Sequence, residues 1–121
     1  MIKTKIDLKF YIKEDAVRNG MDCSYLIYLS RLFRKHENAM SFRYLKTLRK
    51  CEYHTNNSGL FHKLMCLYYT VKLQRLGALY NIQIPINCCG YGLRIMHLTG
   101  GGVLLNAKKI GNYCGFNCGV R

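Results

Sequence analysis

Ile84-Pro-Ile-Asn-Cys-Cys-Gly90-Tyr-Gly92-Leu-Arg-Ile95-Met-His97, followed shortly by Gly100-Gly-Gly-Val-Leu-Leu-Asn106-Ala-Lys-Lys-Ile110-Gly-Asn112, is where the chain changes character. From residue 82 onward come the only proline, eight of the eleven glycines and four of the seven cysteines. Short β-friendly pieces at 82–84, 93–95 and 103–105 alternate with turns. Two six-residue spacings run through them. Cys89 leads to Ile95, and Leu104 leads to Ile110 and Phe116; the two runs are three residues out of phase across 98–102. A period of six suits a parallel β-helix, in which each hexapeptide supplies one short strand and one corner. Glycine-rich antiparallel structure produces the same spacing by chance.

Upstream the apolar period is helical. Residues 4–19 read as a first helix, with Thr4 and Asp7 spaced as a capping box and Gly20 as a stop. Asp22 or Ser24 starts a second over 25–35, and a third spans 38–50. A polar break at 54–59 precedes the strongest helix, 60–79. Its stripe of Leu60, Leu64, Leu67 and Val71, with Tyr68, Leu76 and Leu79, is expected to be core.

The 121 residues suit one domain with a modest core. The net charge is +13, and all six acids (Asp7, Glu14, Asp15, Asp22, Glu37, Glu52) precede residue 53. Such a field favours an anionic partner, or is simply a solvated basic surface. No apolar leader or membrane span is visible, so the expectation is a cytoplasmic protein with reduced thiols and no membrane partner.

The stretch from Ile84 to Asn112 resembles the serine acetyltransferase family, in particular its branch from capsule and polysaccharide gene clusters. That family reads Ile-x-Pro, a Gly-x-Gly-type turn, an apolar residue, a histidine, then a Gly-Ile-Val-type strand, Asn and Ala-x-Ile-Gly-x-Asn, which Ile84-Pro85, Gly90-Tyr-Gly92, Ile95, His97, Gly102-Val103, Asn106-Ala107 and Ile110-Gly-Asn112 resemble. The resemblance implies an α+β protein with an N-terminal α-helical region, 1–80, followed over 81–121 by an incomplete left-handed parallel β-helix of hexapeptide repeats. It implies an O-acetyltransferase, moving acetyl from acetyl-CoA, as co-substrate, to a small hydroxyl-bearing acceptor, serine or a sugar. His97 matches the family's general base, a role suited to a group titrating near neutrality. Asp7 and Asp15 match an aspartate pair of the same separation and are the expected acceptor-binding residues. The resemblance also implies a homotrimer. It assigns no residue to coenzyme A.

Three departures stand out. Met96 replaces the acid that serine-specific members carry immediately before the histidine. Ile82 replaces their catalytic aspartate fifteen residues earlier, which leaves a backbone carbonyl or Asp7 to orient His97. The 40 residues from 82 to 121 amount to roughly two coils of eighteen. The coenzyme A groove would come from later coils, so a truncated family member of low activity is expected. An inactive member that only oligomerises is the alternative.

Other constellations lead elsewhere. Cys51-x2-His54 and His62-x3-Cys66 have zinc-like spacing, but the second pair falls on a helix, and no metal site is expected. A nucleic-acid module would use Arg31, Arg34, Lys35, Arg43, Lys46, Arg49 and Lys50 with Phe42, Tyr44 and Tyr53. The pattern lacks a recognition motif, and nucleic acid is not the expected partner.

Overall fold

A computed structural model of the chain describes residues 1–22, 24–96 and 103–117. Helix α1 (Lys5–Arg18) starts at a true capping box. The Thr4 hydroxyl accepts the Asp7 N–H at 3.1 Å, and the Asp7 carboxylate accepts the Thr4 N–H at 3.1 Å. Gly20, at φ +70°, follows its end. Ser24 caps α2 (Tyr25–Phe33) by accepting the Ile27 N–H at 3.4 Å. Helix α3 (Glu37–Thr55) runs farther than the sequence suggested, because its buried face continues through Cys51, Glu52 and His54. Helix α4 (Leu60–Tyr80) stops at Asn81, whose N–H still bonds the Gly77 carbonyl while its left-handed conformation turns the chain out of the helix.

Helix α3 is central, packed by α1, α2 and α4 and by the strand β2 (Arg94–Met96). The main core joins Leu45, Leu48 and Cys51 of α3, Leu73 and Leu76 of α4, and Ile82, Leu93, Ile95 and Val103 beyond them. A smaller one gathers Ala16, Met21, Tyr28, Ala39 and Phe42. Gly77 allows α4 to approach the following strand closely: a Cβ there would lie 2.6 Å from the Ile82 carbonyl oxygen.

The strands are β1 (Ile82–Gln83), β2 (Arg94–Met96), β3 (Val103–Leu104) and β4 (Gly115–Asn117). β1 pairs with β3 and β2 with β4, both parallel, and Cys89 bridges Ile110 in the same sense. Every partner lies 21 residues on, as in Ile82 with Val103 and Arg94 with Gly115.

The expected α+β class with an incomplete left-handed parallel β-helix is overturned. Among the described residues the protein is mostly helical, and no left-handed β-helix forms. Each strand is two or three residues long and has a single partner. The physical reason lies in what separates the strands. Asn87, Gly92 and Tyr113 adopt positive φ, so turns interrupt the extended chain between the short strands. The pairing offset is also 21 residues and not the eighteen of three hexapeptides.

The α4 stripe is corrected as well. Leu60, Leu64, Leu67 and Val71 are 75%, 60%, 65% and 47% exposed, and only Leu76 of the set is core. The face that packs is the opposite one, carrying Tyr69, Leu73, Leu76 and Tyr80. Among the described residues no helix is long and apolar enough to cross a membrane.

Candidate functional site

Four buried polar side chains from two helices cluster beside the glycine-containing stretch that precedes His97, and three of them bond its backbone. Asp15 and Asn19 sit one turn apart at the end of α1; Arg49 and Glu52 sit three apart on α3. They are 0%, 1%, 0% and 2% exposed. Buried charges of this kind persist only when paired and fully hydrogen-bonded.

The pairing is extensive. Arg49 Nε donates to Asp15 Oδ2 at 2.7 Å, and its Nη2 donates to Asp15 Oδ1 at 3.3 Å, a two-pronged contact. Nη1 donates to Glu52 Oε2 at 3.3 Å. The guanidinium also reaches the later stretch, bonding the carbonyls of Cys89 at 2.9 Å and Gly90 at 2.6 Å. Asp15 Oδ1 accepts the Leu93 N–H at 2.9 Å. The Asn19 amide donates to the Leu93 carbonyl at 2.8 Å and accepts the Ile95 N–H at 3.3 Å. At the rim Arg18 bonds the carbonyls of Gly92 at 3.2 Å and Tyr113 at 3.1 Å. The Tyr11 ring covers the guanidinium, its centre 5.0 Å away.

Two carboxylates share one cation here. Burial pushes the Asp15 and Glu52 carboxyls above their ordinary range, against the pull of Arg49. Burial alone would lower Arg49, but the hydrogen bonds and charge of Asp15 outweigh it and hold the guanidinium protonated.

The Gly90-Tyr-Gly92 turn fits between these groups and the next pass of the chain. Gly90 is pressed by the Asn112 side chain, and Gly92, at φ +72°, lies under the Tyr113 ring. Tyr91 donates its N–H to Asn112 Oδ1 at 3.2 Å.

The expected site residues are distributed as follows. His97, the catalytic expectation, lies outside the described residues; it follows Met96, the end of β2. Asp15 has no exposed surface, and both its oxygens are engaged. The Asp7 carboxylate accepts the N–H groups of Lys3 and Thr4, which lower its pKa. Asp7 and Asp15 stand about 12 Å apart along one helix axis. Sequence reasoning misses Asn19 and Glu52 and names Arg49 only among the residues of a nucleic-acid module. Their signal was positional: Arg49 and Glu52 recur with Leu45 and Leu48 on the apolar face of α3, where an unpaired charge would not survive.

Elsewhere, His54 and His62 do meet, Nδ1 to Nδ1 at 2.9 Å, with the Tyr69 ring stacked on His54. Among the described residues no group of three histidine, cysteine or acidic side chains could hold a metal ion. A groove of about 660 Å³ lies along α4, β1 and β3, with Leu73 and Ile84 in its wall and Thr70, Gln74 and Gln83 on its lining. Of the residues suggested for a nucleic-acid surface, Arg49, Phe42 and Tyr44 are buried.

No protein-family model matches the chain, and no curated protein or solved structure matches it.

Proposed function

We propose that the protein is an O-acetyltransferase of the serine acetyltransferase type, with acetyl-CoA as acetyl donor and a small alcohol, L-serine or a sugar hydroxyl, as acceptor. The observation that carries this reading is the convergence of Asp15, Asn19 and Arg49, the last paired with Glu52, on the backbone of residues 89–95. That is the stretch with the family-like motif, and it runs directly into His97. Holding a short glycine-containing segment with three buried polar side chains suits a segment that must present a base in one geometry.

In this reading His97 takes the proton of the acceptor hydroxyl. The oxygen attacks the thioester carbonyl carbon; the new C–O bond forms, the C–S bond breaks, and coenzyme A leaves as the thiol after regaining a proton. Asp15 and Arg49 act as positioning residues that fix the approach to His97, not as acceptor contacts. Copies of the chain assemble as a homotrimer.

Transfer of labelled acetyl from acetyl-CoA to L-serine and to hexose acceptors, at high protein concentration, tests the proposal. Acceptor-dependent product should fall at least about a hundredfold in His97→Ala, the scale of losing a general base. No acceptor-dependent transfer, or an equal rate in His97→Ala, overturns it.

A further inference from the structure

Helix α4 carries two apolar seams and the fold uses one. The inner seam is Tyr69, Leu73, Leu76 and Tyr80, at intervals of four, three and four. The outer seam is Leu60, Leu64, Leu67 and Val71, at the same intervals. Leu60 and Tyr69 are nine residues apart, about two and a half turns, so the seams lie on opposite sides of the helix. A helix apolar on opposite faces is a helix meant to be buried on both. Here the outer face stays open, with Phe61 and Tyr68 beside the seam also 65% and 56% exposed.

The spacing and extent of this face indicate its occupant. Alternating intervals of four and three repeat every 3.5 residues, the period at which one helix packs along another. A shallow groove along it is lined by Leu64, Leu67, Tyr68 and Val71, with Lys72 and Arg75 at the side. If each fully exposed side chain of this size presents on the order of 150–200 Å², the six residues offer roughly 600 Å². That is at the upper end of what a monomer shows, roughly 300–600 Å², and close to the roughly 800 Å² per partner of a standard interface. A second copy of the chain brings a helix of matching period and length, and all four seam side chains are apolar.

We infer that the outer seam of α4 is a contact surface between copies of this chain, helix against helix. The inference stands on α4 alone and does not depend on the acyl-transfer reading. Lys63, Lys72 and Arg75 flank the seam, and α4 contains no acid. Self-association is therefore opposed by like charge and strengthens with salt.

Sedimentation velocity and light scattering of the full chain test it. At about 100 µM the wild type should have the mass of a dimer or trimer. Raising salt from about 0.15 M to about 1 M should tighten the assembly. Leu64→Gln with Leu67→Gln keeps good helix formers on an exposed face and should weaken association at least about tenfold, with helicity unchanged by circular dichroism. Phe33→Gln, at an 89% exposed position on α2, should leave the mass unaltered. A monomeric wild type overturns the inference, as does a double variant with the wild-type mass. Anionic phosphatidylserine vesicles that bind a monomeric wild type but not the double variant would assign the seam to a membrane surface instead.

Discussion

Replacing Arg49 by Met keeps the length and apolar stem of the side chain and removes everything its head does. Asp15 and Glu52 then remain buried at 0% and 2% exposure with no cation between them. Removing one partner of a buried ion pair costs about 3–5 kcal/mol. The carbonyls of Cys89 and Gly90 also lose their donors, and a stripped buried acceptor costs roughly 1–3 kcal/mol. Neighbouring losses do not add fully, so a destabilisation of at least about 4 kcal/mol is expected. Against a total stability of about 5–15 kcal/mol this is a large share, and at roughly 3–5 °C per kcal/mol it lowers Tm by about 12 °C or more. The pH dependence adds a sign. Unpaired, both carboxyls are driven further above their unfolded values, so the folded state binds more protons than the unfolded one. The deficit of Arg49→Met should therefore shrink as pH falls from about 7 toward the ordinary glutamate value of 4.5. Adding Glu52→Gln should recover part of the loss at pH 7 by removing one buried charge. Urea and thermal unfolding followed by circular dichroism measure all three. An Arg49→Met protein within about 1 kcal/mol of wild type at pH 7 would show that the network does not hold the 89–95 stretch.

Gly77→Ala gains about 1 kcal/mol of helix propensity, but its Cβ would meet the Ile82 carbonyl oxygen at 2.6 Å. Because that oxygen belongs to backbone, α4 and β1 must separate, and a net loss of about 1 kcal/mol or more is expected in thermal melts; a stabilised variant would contradict the close approach. The His54 pKa is held below its ordinary 6.5 by burial and then by His62, with Lys50 adding to both. The folded state thus binds fewer protons there, and the contribution of His54 to stability is complete above pH 6.5 and lost as pH falls through the window beneath it. His54→Phe, which keeps a ring against Tyr69, should flatten the fall in Tm below about pH 6.5, and an unaltered slope would place the titration elsewhere.

The helix starts and stops were legible because their causes are local. Thr4 with Asp7, Ser24 and Gly20 act within one turn of chain, and the structure uses each as its spacing suggests. The end of α3 was not legible: the polar run at 54–59 looked like a break, yet α3 continues to Thr55 because His54 packs between Tyr69 and His62. Of the site, the glycine turn and the aspartate on α1 could be picked out by pattern. Their connection could not, because Asp15 meets Leu93 across 78 residues and Arg49 meets Gly90 across 41. His97, where the motif points, lies outside the described residues.

By itself the sequence determined four helical segments, the switch to turns and short strands beyond residue 81, and a charge field without acids after Glu52. These follow from capping, periodicity and composition, which are read over a few neighbouring residues. Only the tertiary structure decided three further matters: which side of α4 is covered, what Arg49 pairs with, and that the six-residue spacings yield isolated parallel pairs 21 residues apart in a mostly helical protein. An apolar stripe states only that a face seeks burial, and a buried arginine only that it needs a partner. What meets each is set by how distant elements pack, a global outcome that local propensity does not contain.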